Sequence, residues 1–185
     1  MAAKIPTNGM GLDAGLDIAG GNLTFTTADK GVHLGVTSAT ASNLLDDYEE
    51  GEYTYTITGS NSGSLSARSG YEKGHYQKIG NQVTVNTRWE TDTDNSISGN
   101  IYWSLPFAMA APTDKADAAC APGYIRDNSM GDDARYGVYF VSEGNAFCYI
   151  LFSREGVVNS TVEVADSNDT DATGEGVISI TYRTT

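Results

Sequence analysis

The side chains that could carry chemistry are few, and most stand apart. His33 and His75 are the two histidines, and neither sits at a metal-ligand spacing or beside a cysteine pair. A zinc site wants nitrogen and sulfur ligands clustered in space, so none is expected. Cys120 and Cys148 are the only cysteines. They could form one bridge, but Cys148 lies in the apolar run Ala146-Phe147-Cys148-Tyr149-Ile150-Leu151-Phe152 and reads as a small buried hydrophobe. No Gly-x-Ser-x-Gly elbow leads from a strand into a helix, so no serine nucleophile is expected. No phosphate loop, dinucleotide fingerprint or EF-hand loop is present, and no cofactor is implied.

Carboxylates and aromatics supply the remaining candidates. Asp92-Thr93-Asp94-Asn95, residues Asp127 to Asp133, and Asp166-Ser167-Asn168-Asp169-Thr170-Asp171 are dense in hard oxygen donors. Calcium takes about six to eight such ligands, and Asp166, Asn168 or Asp169, and Asp171 have a spacing that could wrap one ion. The same residue types also fill ordinary β-turns. Asp46, Asp47, Glu49 and Glu50 surround Tyr48, but acids favour a helix start as well as a metal or a catalytic pair. Glycoside hydrolysis needs two carboxyls about 5–9 Å apart in a cleft, and no pair is singled out. Trp89 and Trp103 can either stack on sugar rings or fill a core.

The elements that must position these residues are short strands. The chain has 185 residues, 21 of them Gly, and its 11 Tyr outnumber its 5 Phe, a composition of strands and turns. Its 24 acidic residues against 11 basic ones give a net charge of -13, which repels nucleic acid and anionic lipid. Such a surface keeps a densely packed protein soluble and suits salty surroundings, where self-repulsion is screened. No run approaches the roughly 18 apolar residues of a membrane helix. Met1-Ala2-Ala3-Lys4-Ile5-Pro6 has no apolar stretch after its charge, so no signal peptide is expected.

Two regions follow. Residues 1–43 read as an extended, meander-like arm in which Leu16, Ile18, Leu23, Phe25, Val32 and Leu34 are separated by turn residues. That is too little apolar surface to stand alone, so the arm either docks on the body or serves assembly. Residues 44–185 read as an antiparallel β-sandwich, jelly-roll-like, making the fold all-β. Asn43 is placed to cap a short helical turn through Asp47. Tyr53-Thr54-Tyr55-Thr56-Ile57 and Val83-Thr84-Val85-Asn86-Thr87-Arg88-Trp89 alternate cleanly. Gly80-Asn81 predicts a hairpin between His75–Ile79 and Val83–Trp89. Late strands are expected at 124–126, 137–141, 146–152, 160–164 and 177–182, and a brief helical turn at 115–119.

Three stretches also form a pattern: Leu44-Leu45-Asp46-Asp47-Tyr48-Glu49-Glu50-Gly51, then Tyr76-Gln77-Lys78-Ile79-Gly80-Asn81-Gln82-Val83, then Leu105-Pro106-Phe107. In this order they resemble a module of marine bacteriophage virion surface proteins, found near the carboxyl ends of tail fibres and related proteins. The resemblance implies a non-enzymatic structural protein located in the virion, of fibre, knob or decoration type. It implies other virion proteins and copies of itself as partners, with a homotrimer as the assembly. Such modules usually end a long fibre, whereas this chain is short and starts with Met1. An alternative is a receptor-binding module that holds a host surface glycan, with Trp89 and Trp103 as stacking residues. A polysaccharide depolymerase comes third.

Overall fold

Every regular element is a β-strand among residues 22–27, 30–34, 44–45, 47–92, 97–111, 118–127, 135–152, 163–164 and 174–185, which the computed structural model describes. Among these residues no helix is long and apolar enough to cross a membrane. The chain divides into two units, Met1–Leu44 and Leu45–Thr185.

In the first unit, β1 (Val32–His33) pairs with β2 (Leu44–Leu45), which reaches one residue past the unit boundary. Leu44 and Leu45 are therefore extended, where the sequence predicts a helical turn. A single turn fixes several residues for one hydrogen bond, so a strand partner outcompetes it. Leu23-Thr24-Phe25-Thr26 alternates as a strand would, yet lies in no strand.

The second unit is one antiparallel hydrogen-bonded path. Its strands are β3 (Tyr48–Thr54), β4 (Ile57–Gly59), β5 (Ser62–Leu65), β6 (Lys73–Ile79), β7 (Gln82–Glu90), β8 (Ile97–Ser98), β9 (Ile101–Ser104), β10 (Ala119–Asp127), β11 (Arg135–Val141), β12 (Phe147–Phe152), β13 (Glu163–Val164) and β14 (Gly174–Arg183). The order is β3-β6-β7-β14-β10-β11-β12-β9-β4-β5-β8, with β13 on β12. The path curls into a sandwich, so that β3-β6-β7-β14 faces β11-β12-β9-β4. Two residues, Tyr55 and Thr56, carry the chain from one wall to the other. There the Thr56 amide donates to Ser104 Oγ (2.8 Å) and the Ser104 amide to the Thr56 carbonyl (3.0 Å).

Period-two alternation builds the core. Val83, Val85, Thr87 and Trp89 point inward from β7, and Gly176, Ile178, Ile180 and Tyr182 from β14, while their neighbours face out. From the opposite wall come Ile57, Ile101, Trp103, Tyr139, Val141, Cys148 and Ile150. Across the core the Trp89 indole donates to the Tyr139 hydroxyl at 2.8 Å. Cys148 is buried and Cys120 exposed, and both are free. Burial pushes the Cys148 thiol well above its ordinary value, so it stays protonated and inert.

Three glycines make room for these rings. Gly176 lies opposite Trp89, and a Cβ there would come within 2.6 Å of the indole. Gly74 lies opposite Tyr53, where a Cβ would come within 2.7 Å of the ring. Gly123 would likewise collide with the Tyr139 ring. β10 begins at Ala119, earlier than the sequence predicts, and contains Pro122. Its pairing with β14 starts at Tyr124, so Pro122 lies where only β11 is in register and a missing N–H is tolerated.

Candidate functional site

The three stretches of the sequence pattern meet at one place. Strand β3 pairs with β6 in the register Tyr48↔Ile79, Glu49↔Lys78, Glu50↔Gln77 and Gly51↔Tyr76, so the first stretch lies directly along the second. The hairpin between β6 and β7 requires a left-handed residue, supplied by Gly80 at φ 56°. The Gly80 amide then donates to the Asp47 carbonyl at 2.7 Å, tying the turn to the start of β3.

Lys78 and Tyr76 bring in the third stretch. The Lys78 side chain is only 12% exposed, pairs its ammonium with the Asp47 carboxylate and lies 5.7 Å from the Phe107 ring centroid. The Tyr76 ring covers Gly51, where a Cβ would sit 3.1 Å from its hydroxyl. It meets Phe107 edge-on at 5.3 Å and donates its hydroxyl proton to Glu49. That bond to Glu49, with some desolvation, raises the Tyr76 phenol above its ordinary value. Phe107 is held from behind: its carbonyl accepts from the Tyr182 hydroxyl at 2.9 Å. Aromatic contacts continue inward from Phe107 through Tyr76 and Tyr53 to Trp103, with centroids 5.3, 6.3 and 6.0 Å apart. This is a clamp of ring contacts, one partly buried ion pair and backbone bonds.

Burial and ion pairing set the electrostatics of the described groups. Every described group whose pKa clearly departs from its ordinary value moves away from neutrality. Burial raises Tyr53, Tyr55, Tyr139, Tyr149 and Tyr182; Lys73 lowers Glu52, and Arg68 lowers Glu90. Arg68 and Lys73 are raised by the same two pairs. A general acid or base works best with a pKa near the operating pH, and none of these groups has been moved there. Among the described residues there is no group of three or more His, Cys, Asp or Glu that could hold a metal ion.

The individual candidates separate clearly. Trp103 is 0% exposed and Trp89 4%, so both are core side chains and neither offers a ring face to a sugar. His33 is exposed on β1 and His75 on β6, where its Nδ1 lies 4.0 Å from Glu52 Oε1. Leu23, Phe25, Val32 and Leu34 are all exposed. Leu16, Ile18, Asp166, Asp169 and Asp171 lie outside the described residues. Lys78 and Phe107 belong to no cluster of reactive residue types in the sequence. Their signal was the ordered pattern itself.

No protein-family model and no curated protein matches the chain. Among solved structures the chain is similar to the Dettilon tailspike protein (gp208), at 14% identity and a TM-score of 0.45, over 72% of this chain and 24% of that one. The chain thus spans about a quarter of the tailspike's length.

Proposed function

We propose that this chain is a structural protein of a bacteriophage virion, of fibre, knob or decoration type, with no reaction of its own. Residues 1–43 fix it to neighbouring virion proteins, and copies of the chain assemble as a homotrimer. The ordered sequence pattern supports the virion setting and the trimer.

One observation carries the attachment role: Leu23 is 55% exposed, Phe25 45%, Val32 40% and Leu34 57%. Burying a side chain of this size contributes about 1.5–3 kcal/mol, so four left in water favour a partner surface. Within the second unit, Leu45, Tyr48 and Ile79 are exposed as well, and Ile79 stands opposite Tyr48 in register. The clamp at Asp47, Lys78 and Phe107 then transmits load from the first residues of β3 into the core.

Deletion of residues 1–43 tests the attachment. The truncated chain is expected to keep a cooperative melt and to be missing from purified particles. Particles that carry it at the normal level would refute the attachment role. A receptor-binding role on the same particle is the second reading, and a group of partly exposed rings on the body's outer surface favours it. No observation on the described residues favours a depolymerase.

A further inference from the structure

That ring group lies on the outer face of β11, β12 and β9. Alternation sends Cys148 and Ile150 inward from β12 and leaves Phe147 and Tyr149 outward and half-buried. From β11, Tyr139 and Val141 point in and Phe140 out; from β9, Ile101 and Trp103 point in and Tyr102 out. The registers Phe140↔Tyr149 and Tyr149↔Tyr102 place three rings in one row across the strands. Phe147 joins them, its centroid 4.2 Å from Tyr102 and 5.5 Å from Tyr149, while Tyr102 and Tyr149 meet edge-on at 5.2 Å.

Size, charge and rim chemistry select the occupant. Three strands about 4.8 Å apart, over three or four residues at about 3.3 Å each, make a patch of roughly 150–200 Å². A stable protein interface needs about 800 Å² per partner, so a second copy is too large an occupant for this patch alone. One or two pyranose rings match it. The outward residues Phe140, Phe147, Tyr149 and Tyr102, with Ser104 and Thr58 beside them, carry no carboxylate, ammonium or guanidinium. In a chain of net charge -13, such a patch admits a neutral ligand and the surrounding field disfavours an anionic one. Tyr102 and Tyr149 hydrogen-bond to each other and Ser104 Oγ accepts from the Thr56 amide, and a hydroxyl both donates and accepts, so these groups and Thr58 keep further capacity beside the rings. Rings flanked by hydroxyls complement the apolar faces and hydroxyl edges of a sugar.

We propose that Tyr102, Phe147 and Tyr149 form a stacking site for a neutral saccharide. The site deepens the receptor-binding reading above and rests on it. It takes over the stacking role from Trp89 and Trp103, whose rings are closed in the core.

The test applies the full chain to an array of neutral hexose and N-acetylhexosamine oligosaccharides, with sulfated and uronate-bearing glycans beside them. Binding is expected on neutral glycans, with the anionic ones bound more weakly. Tyr102→Ala and Tyr149→Ala are each expected to weaken binding about tenfold or more, a change of about 1.4 kcal/mol. Tyr149→Phe keeps the ring and should retain most of the affinity. Melting curves accompany each variant, and Phe147→Leu replaces any alanine variant that unfolds. No binding to neutral glycans, a preference for anionic ones, or undiminished binding by the ring-less variants would overturn the site. So would self-association of the wild type that the same variants abolish. Particle incorporation is scored in parallel: a wild-type chain that is incorporated but binds no glycan overturns this site and leaves the structural role standing.

Discussion

Trp103 in the body has no exposed surface, while Leu34 in the amino-terminal segment is 57% exposed. Both are large apolar side chains, one within β9 and the other just past β1. In the body the inward positions of β7 and β14 are buried, and glycines on neighbouring strands clear space for Trp89 and Tyr53. In the segment before Leu45, Leu23, Phe25, Val32 and Leu34 have nothing comparable, and the one described ladder is two residues long. The body has a buried core of its own, whereas none of the described residues before Leu45 is buried. Substitutions should therefore register as lost stability in the first region and as lost assembly in the second.

The sharpest contrast comes from the core. Trp103→Ala removes a wholly buried indole and is expected to cost the body about 3–5 kcal/mol, read as a lower denaturant midpoint. Gly176→Ala drives a methyl group into the Trp89 ring and should cost about 1–3 kcal/mol by overpacking. A neutral outcome at either position would mean that the core around these indoles is loosely packed.

Tyr139→Phe probes a single bond between the walls. It leaves the Trp89 indole N–H buried without its acceptor, at an expected cost of about 1–3 kcal/mol. Denaturant midpoints of Tyr139→Phe and wild type, compared at neutral pH, measure it directly.

Alkaline titration probes the same region without mutation. Burial holds the phenols of Tyr53, Tyr55, Tyr139 and Tyr182 above their ordinary value of 10.0. The folded body then binds more protons than the unfolded chain once the pH passes 10, so this stabilisation is complete below that value and is lost as pH rises. The melting temperature should fall above pH 10, and tyrosinate absorbance should rise with unfolding. Free ionisation of all the tyrosines in a still-folded body would contradict the burial.

The smallest effect on stability is expected in the amino-terminal segment. Leu23→Asp and Phe25→Asp replace exposed side chains, so each should change the melt of the chain by less than about 0.5 kcal/mol. A large loss of stability would show that these residues are already packed within the folded chain and would dissolve the contrast.

Much of the body is legible from its residues. Val83 to Trp89 alternates, Gly80-Asn81 turns, and the structure has β7 and the hairpin at those positions. The outer ring group is hidden for a physical reason. Ala146 to Phe152 is apolar on both faces, so no alternation tells Cys148 and Ile150 from Phe147 and Tyr149, and only the register separates them. Pro122 concealed β10, since a proline argues against a central strand unless one edge is open. Leu44-Leu45 carries the residue types of a helix start, and only its pairing with β1 makes it extended. The clamp was legible as an ordered pattern, but not as a place, because its three stretches lie up to 60 residues apart, as Asp47 and Phe107 do.

The most direct measurement is the copy number per particle of the full chain carrying Leu23→Asp together with Phe25→Asp, set against wild type in the same preparation. A chain that melts as the wild type does but is nearly absent from particles is the predicted result. A doubly substituted chain present at the wild-type copy number would contradict attachment through this segment.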